Sequence, residues 1–324
     1  MLTSDFDYHL PPELIASDPL PDRAASRMMV VDRSAGTIEH KYFRDLISYV
    51  REGDLFVLND TRVVPARFFS NDGTREVLRL EAITPTRWRC MIRPGKKFRM
   101  GHTVDIGDAT GRVVEIAGNG DRTIEFDRPV DVERHGHLAL PPYMEREDRA
   151  SDKERYQTVF SREEGSIAAP TAGLHFTPEL LAQLPHAFVT LHVGVGTFQP
   201  VKADRVEDHI MHSERYSLTA ESAARIREAK RVIAVGTTAS RVLESVFRKH
   251  GQIIAYEDET DIFIHPPFEF RVVNALLTNF HLPKSSLIML VSALAGRDLI
   301  MRAYAEAIAH RYRFYSYGDC MLIV

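Results

Sequence analysis

Between Thr61 and Ala150 the sequence has no helical period of useful length. Short extended runs, VLRLEAIT, RWRCMIRP, TVDIG, GRVVEIA and RTIEFD, alternate there with Gly, Pro, Asn and Asp turns, at the intervals of a small barrel or sandwich. Elsewhere the rhythm is strand then helix. TPELLAQL, AESAARIREAKR, SRVLESVFRKHG, SSLIMLVSALAG and LIMRAYAEAIAHRY read as helices, and LFVLND, AFVTLHVG, RVIAVG and DIFIH as strands. One rhythm interrupting the other predicts a discontinuous α/β domain, residues 1–60 and 151–324, with a small all-β barrel domain inserted over residues 61–150. The polar break at Asn59-Asp60-Thr61-Arg62 marks the way out, and acid-rich Glu145 to Asp152 reads as a solvated linker on the return.

Helices between apolar strands imply a mostly parallel sheet with flanking helices, which takes ligands at the carboxyl ends of its strands. Ahead of it, MMVVDRSAGTIEH reads as a hairpin through its Ser-Ala-Gly turn, and FRDLISYV as a helix. No repeat of fixed period occurs, which excludes solenoids and propellers. Cys90 and Cys320 are the only cysteines and form no CxxC, so a disulfide framework or thiolate zinc site is excluded and a reducing compartment fits. Acids and prolines in MLTSDFDYHLPPEL stand where a signal peptide needs a basic start and an apolar run. The longest clean apolar stretch, Leu287 to Gly296, has ten residues, where a bilayer span needs ~20. A cytoplasmic chain with no membrane span is expected, working as a monomer. With 41 Lys+Arg against 45 Asp+Glu the net charge is −4, so a polyanion would have to find a local patch.

Four stretches set polar side chains at strand-to-loop junctions, the first three of them beside glycine: AAPTAGLHFT, LHVGVGTFQP, VIAVGTTASR and LTNFHLPKSS. Glycine permits close backbone approach to a ligand, and Thr, His and Asn supply directional hydrogen bonds. GVGTF is not GxGxxG and no GxxxxGK[ST] occurs, so neither nucleotide fingerprint is met. Taken alone, VGTT suits an ordinary tight βα turn equally well. His209, His212 and Glu214 in DHIMHSERY share a face only if that segment is helical; metal ligation, a hydrogen-bonding histidine pair and proton transfer all stay open. His175 and His192 follow apolar runs and are equally readable as satisfied core histidines.

The clearest charge feature is RWRCMIRPGKKFR, with Arg87, Arg89, Arg93, Lys96, Lys97 and Arg99, no acid, and Trp88 and Phe98 interleaved. Basic side chains neutralise phosphates and aromatic faces stack on bases, which makes this a candidate RNA-contacting edge. A solvated hairpin with a core tryptophan is the alternative.

Read together, the strings resemble the S-adenosylmethionine:tRNA ribosyltransferase-isomerase family of queuosine biosynthesis. They are DFDYHLPPELIA, LFVLNDTRVVPARF, RPGKK, HGHLALPPY, ERYQTVF, AAPTAGLHFTPELL, FVTLHVGVGTFQPV, HSERYSL, VIAVGTTASRVLES, LTNFHLPKSSLIMLVSALAG and RFYSYGDCMLI, in order over nearly the whole chain. The resemblance implies an α/β domain interrupted by a β-barrel. It implies transfer of the ribosyl part of S-adenosylmethionine to 7-aminomethyl-7-deazaguanine at the wobble position of tRNA, with isomerisation to epoxyqueuosine and release of adenine and methionine. S-adenosylmethionine is then a consumed co-substrate, with no metal or other cofactor.

That chemistry needs a base for the C5′ protons beside the sulfonium, a proton for departing adenine and a neutral amine. His175, His192, His212 and Glu214 lie inside family-like motifs and are the candidate catalytic groups. Asp60, Arg62 and Arg67 would orient ribose hydroxyls or tRNA phosphate. Thr171, Gly173, Gly194, Gly196, Thr197, Gly236, Thr237, Asn279 and His281 would shape the substrate pocket. The segments near Leu184, Arg231 and Lys249 are short for the family, and Gln199 stands where an Arg is more usual, which weakens an anion contact at that position. An S-adenosylmethionine-dependent RNA methyltransferase and a non-catalytic tRNA-binding module are the rival readings.

Overall fold

The computed structural model describes residues 1–144, 146–194, 196 and 201–324. The chain divides into two compact units, Met1–Arg62 with Pro142–Glu145 and Glu154–Val324, and Val63–Pro141 with Arg146–Lys153. In chain order the strands begin with β1 (Arg27–Asp32), β2 (Thr37–Tyr42), β3 (Asp54–Asn59) and β4 (Thr61–Val63). The smaller unit holds β5 (Arg67–Phe69), β6 (Glu76–Thr84), β7 (Arg87–Arg93), β8 (Thr103–Ile106), β9 (Ala109–Ile116) and β10 (Arg122–Phe126). The larger unit resumes with β11 (Glu163–Ser166), β12 (His186–Leu191), β13 (Glu214–Leu218), β14 (Arg231–Val235), β15 (Tyr256–Thr260), β16 (Ala275–Asn279) and β17 (Cys320–Ile323). Helices are α1 (Val132–His135), α2 (Asp152–Arg155), α3 (Pro178–Leu181), α4 (Ala220–Glu228), α5 (Gly236–His250), α6 (Ser286–Ala295) and α7 (Arg297–Ala309).

In the larger unit nine strands form one sheet, ordered β15-β13-β12-β3-β14-β16-β17-β1-β2. This sheet is mixed, not mostly parallel as the sequence pattern suggests. Four pairings are parallel (β12 with β3, β3 with β14, β14 with β16, β17 with β1) and four antiparallel. The reason is local: β2 arrives through a hairpin and β13 pairs back on β12, neither through a crossover helix. The central strands are apolar on both faces, as a sheet covered on both sides requires. Met29, Val31, Leu55 and Val57 pack into the core under the four longer helices, while their neighbours Met28, Val30, Phe56 and Leu58 enter the core on the opposite face.

The ten-residue apolar stretch is α6. Ser285 Oγ accepts the Ile288 N–H at 3.3 Å, a cap worth about 1 kcal/mol, and Ile288, Met289, Leu290 and Val291 are buried behind it. FRDLISYV forms a 3-10 helix, Phe43–Tyr49. DIFIH is irregular, and the strand lies just before it in the acidic YEDET of β15. No helix among the described residues is long and apolar enough to cross a membrane.

The smaller unit is a six-stranded antiparallel sheet, ordered β5-β6-β7-β10-β9-β8. It curls until its end strands nearly meet. Asn71 spans the gap: its N–H and side-chain amide donate to the carbonyls of Asp105 and Gly107, both at 2.8 Å, and its Oδ1 accepts the Gly107 N–H at 2.8 Å. Trp88 fills the interior, its ring 4.9 Å from Phe68 and 4.8 Å from Phe126. The acidic return segment is exposed at Glu147 and over Arg149, Ala150 and Ser151, as its composition suggests, while two of its acids turn inward. Asp148 takes a hydrogen bond from the His137 ring at 2.8 Å, and buried Asp152 accepts both terminal nitrogens of Arg146 at 2.7 and 2.9 Å. Satisfied pairing lets these carboxylates fold inward.

Candidate active site

Because β12, β3, β14 and β16 run in parallel, their carboxyl ends open on one edge of the sheet, where α/β folds bind ligands. At the end of β14 the chain must turn sharply into α5, and Gly236 does so at φ +86°, a conformation costly to any residue with a Cβ. The first turn of α5 faces two adjoining clefts. One, of about 90 Å³, is lined by the Ala168–Ala172 stretch, Thr278, Asn279, His281 and Ser316. The other, of about 300 Å³, is lined by Gly196, Lys202, His209, His212, Glu214 and Arg241, with apolar Phe263 and Leu290. They meet at Thr237, Thr238 and Leu287. All four stretches thus contribute to one connected site.

In the larger cleft Glu214 is held rather than free. Its Oε2 is ion-paired with Arg241 and its Oε1 accepts the Gly194 N–H at 2.9 Å. His212 is exposed, its ring lying where a Cβ on Gly196 would be, so a larger residue there would have to displace the ring. His209 is half-buried with its ring edge-on to Phe263 at 5.1 Å. Burial first, and then His212, lower its pKa below the usual imidazole range. The segment between them is not helical. Among the described residues, imidazole and carboxylate ligand atoms converge within 4.8 Å at His40, Glu306 and His310 instead.

In the smaller cleft His281 is 8% exposed and bonded through Nε2 to Thr278 Oγ1 at 2.9 Å. Burial lowers its pKa to about 3. Asn279 Nδ2 donates to the carbonyls of Tyr315 and Ser316 at 2.8 and 3.2 Å. Its Oδ1 therefore accepts from His175 Nε2 at 3.1 Å, which leaves His175 Nδ1 to accept from Ser26 Oγ at 2.9 Å. His175 lines neither cleft, is buried, and has its pKa lowered by desolvation to about 4. It is a neutral ring that orients Asn279.

The sequence matches the family described as Queuosine biosynthesis protein over residues 3–323. The chain belongs to the queuosine biosynthesis protein family. Two full-length relatives are the S-adenosylmethionine:tRNA ribosyltransferase-isomerases of Symbiobacterium thermophilum, 51% identical over 343 residues, and Halothermothrix orenii, 48% identical over 343 residues, with all of both chains covered in each case. The crystal structure of S-adenosylmethionine tRNA ribosyltransferase from Thermotoga maritima is similar at TM-score 0.58 and 39% identity, covering 99% of this chain and 100% of that one.

In this queuosine biosynthesis protein several expected site residues lie outside both clefts. His192 Nδ1 pairs with Thr61 Oγ1 at 2.9 Å, and burial followed by Arg215 lowers its pKa. Asp60, at the end of β3, is consumed by Thr190 Oγ1 at 2.7 Å and Arg162 at 2.8 Å. Arg62 reaches toward Glu164 at 3.9 Å. Gly173 packs against Phe160 and Thr158, a helix-packing role. Arg67, in the smaller unit, pairs with Glu76 at 3.0 Å. Thr197 and Gln199 lie outside the described residues.

On β7 alternation sends Trp88, Cys90 and Ile92 inward and Arg89 and Arg93 outward. Trp88 and Phe98 are buried core residues, so they offer no stacking faces. Arg87 is half-buried, Arg89 pairs with Glu81 at 3.3 Å, and exposed Arg93, Lys96, Lys97 and Arg99 have no ion-pair partner among the described residues. Two cleft residues escaped the sequence reading of the site, Thr238 and Arg241. The signal for Arg241 was helical spacing, since it follows Thr237 by four residues on α5.

Proposed function

We propose that this protein transfers and isomerises the ribosyl moiety of S-adenosylmethionine onto 7-aminomethyl-7-deazaguanine at the tRNA wobble position, releasing adenine and methionine and leaving epoxyqueuosine. The observation that carries this reading is full-length similarity near 50% to proteins named for that activity. The paired clefts support it, because a sulfonium nucleoside and an incoming base need adjoining compartments. S-adenosylmethionine acts as a consumed co-substrate without a metal or prosthetic group, and the enzyme works in the cytoplasm as a single chain.

Within this reading the proton carriers are His209 and His212. His209, depressed by burial and its neighbour, is neutral near pH 7 and able to accept a proton from carbon beside the sulfonium. His212, on the open side of the same cleft, is placed to return one to departing adenine. Glu214, fixed by Arg241 and the Gly194 N–H, positions the Gly194 loop, and His175 acts through Asn279. The exposed cations Arg89, Arg93, Lys96, Lys97 and Arg99 contact tRNA phosphates.

Incubation of the purified chain with S-adenosylmethionine and tRNA bearing the aminomethyl-deazaguanine base, followed by chromatography, tests the activity. Free adenine and methionine that appear only with that tRNA are expected. S-adenosylhomocysteine would point to methyl transfer, and tRNA binding without turnover to a non-catalytic module.

A further inference from the structure

We propose that the first turn of α5 is a carboxylate subsite, occupied by the α-carboxylate of S-adenosylmethionine. This rests on the co-substrate reading above and deepens it by naming the group held there.

α5 has fifteen residues, and Val235 at its N-cap provides no side-chain cap. The first N–H groups of any helix lack intrahelical acceptors and carry the positive end of its dipole. No acid lies in this first turn, while Arg248, Lys249 and His250 crowd the last. The end facing the clefts is thus left positive and uncapped, the arrangement that binds anions.

A second observation is independent of the helix. Thr237 is 8% exposed, lines both clefts, and its hydroxyl has no hydrogen-bond partner among the described residues. Thr238 Oγ1 is buried and equally unpartnered. Buried hydroxyls are normally bonded. The Thr238 oxygen is sealed against Gly236, whereas the Thr237 hydroxyl, at the junction of the clefts, is a donor waiting for a ligand acceptor.

The geometry favours carboxylate over tRNA phosphate. Arg241, one turn along α5, is already neutralised by Glu214, so the turn offers N–H and O–H donors rather than the free guanidinium that phosphate recognition favours. A backbone phosphate would also have to bring its flanking riboses into a cleft of about 90 Å³. A terminal carboxylate on a flexible chain enters alone while the nucleoside takes the larger cleft.

Calorimetric titration of the full-length protein tests this with two ligands, S-adenosylmethionine and its decarboxylated analogue. The wild type is expected to bind the analogue about tenfold more weakly, the worth of a hydrogen bond to a charged group. Thr237→Val should weaken S-adenosylmethionine about tenfold while leaving the analogue within about twofold, and Thr237→Ser should restore affinity. Equal losses for both ligands, or no loss for either, overturn the subsite and leave the co-substrate reading intact. Weaker tRNA binding with unchanged S-adenosylmethionine binding overturns it in favour of a phosphate. No S-adenosylmethionine binding by the wild type removes the co-substrate reading itself, and the subsite with it.

Discussion

Arg241 on α5 and Glu214 on β13 form an ion pair with side chains only 7% and 5% exposed, at the wall of the larger cleft. The second oxygen of Glu214 accepts the Gly194 N–H at 2.9 Å. One salt bridge therefore ties the main helix of the site to the loop after β12.

Breaking one side of this pair should be worse than removing both. Arg241→Met leaves a buried carboxylate unpaired and is expected to cost about 3–5 kcal/mol in urea unfolding, whereas the double variant Glu214→Gln/Arg241→Met should recover a large part of that loss. With Glu214→Gln measured alongside, a double-variant cost equal to the sum of the two single costs would show the pair to be uncoupled.

Stability should fall on mild acidification. His175 and His281 have folded pKa values of about 4 and about 3, below the ~6.5 of an unfolded imidazole. The unfolded chain then binds more protons below about pH 6.5, so stability rises with pH across that window and is lost as pH drops through it. The slope approaches about 1.4 kcal/mol per pH unit for each ring. Denaturant midpoints between pH 4.5 and 7.5 measure it, and His281→Gln should remove about one proton from the slope.

Trp88 lies in the barrel core at 1% exposure. Trp88→Ala is expected to destabilise the protein by about 3–5 kcal/mol. A neutral effect on unfolding joined to weaker tRNA binding would return Trp88 to a stacking role.

Lys96→Gln/Lys97→Gln should leave folding unchanged, because both side chains are exposed and unpaired among the described residues. If they touch phosphate, the slope of log affinity for tRNA against log salt should flatten by about 0.7–0.9 for each phosphate no longer neutralised. An unchanged slope removes the pair from the RNA edge.

Much of the architecture was legible because burial wrote it into residue order. Two-sided burial of β1 and β3 gives the unbroken MMVV and LFVL runs, and alternation on β7 sorts Trp88, Cys90 and Ile92 from the arginines between them. Strand direction was not legible: nothing local tells β17 to lie parallel to β1 yet antiparallel to β16. DIFIH misled because its apolar residues bury without a ladder, and Arg241 Nε donates to the Ile262 carbonyl at 3.3 Å. In the site, Thr, His and Asn at strand-to-loop junctions located the clefts. Side-chain partnership stayed hidden, since Glu214 and Arg241 are 27 residues apart and only folding shows that they meet.

The central claim is that proton transfer takes place in the larger cleft. The most direct measurement is single-turnover adenine release by the wild type, His209→Gln and His212→Gln, with S-adenosylmethionine affinity and melting temperature determined alongside. The account predicts rates lowered about 10²- to 10⁴-fold in each variant, with binding and melting nearly unchanged. Adenine release at the wild-type rate in both variants would contradict it.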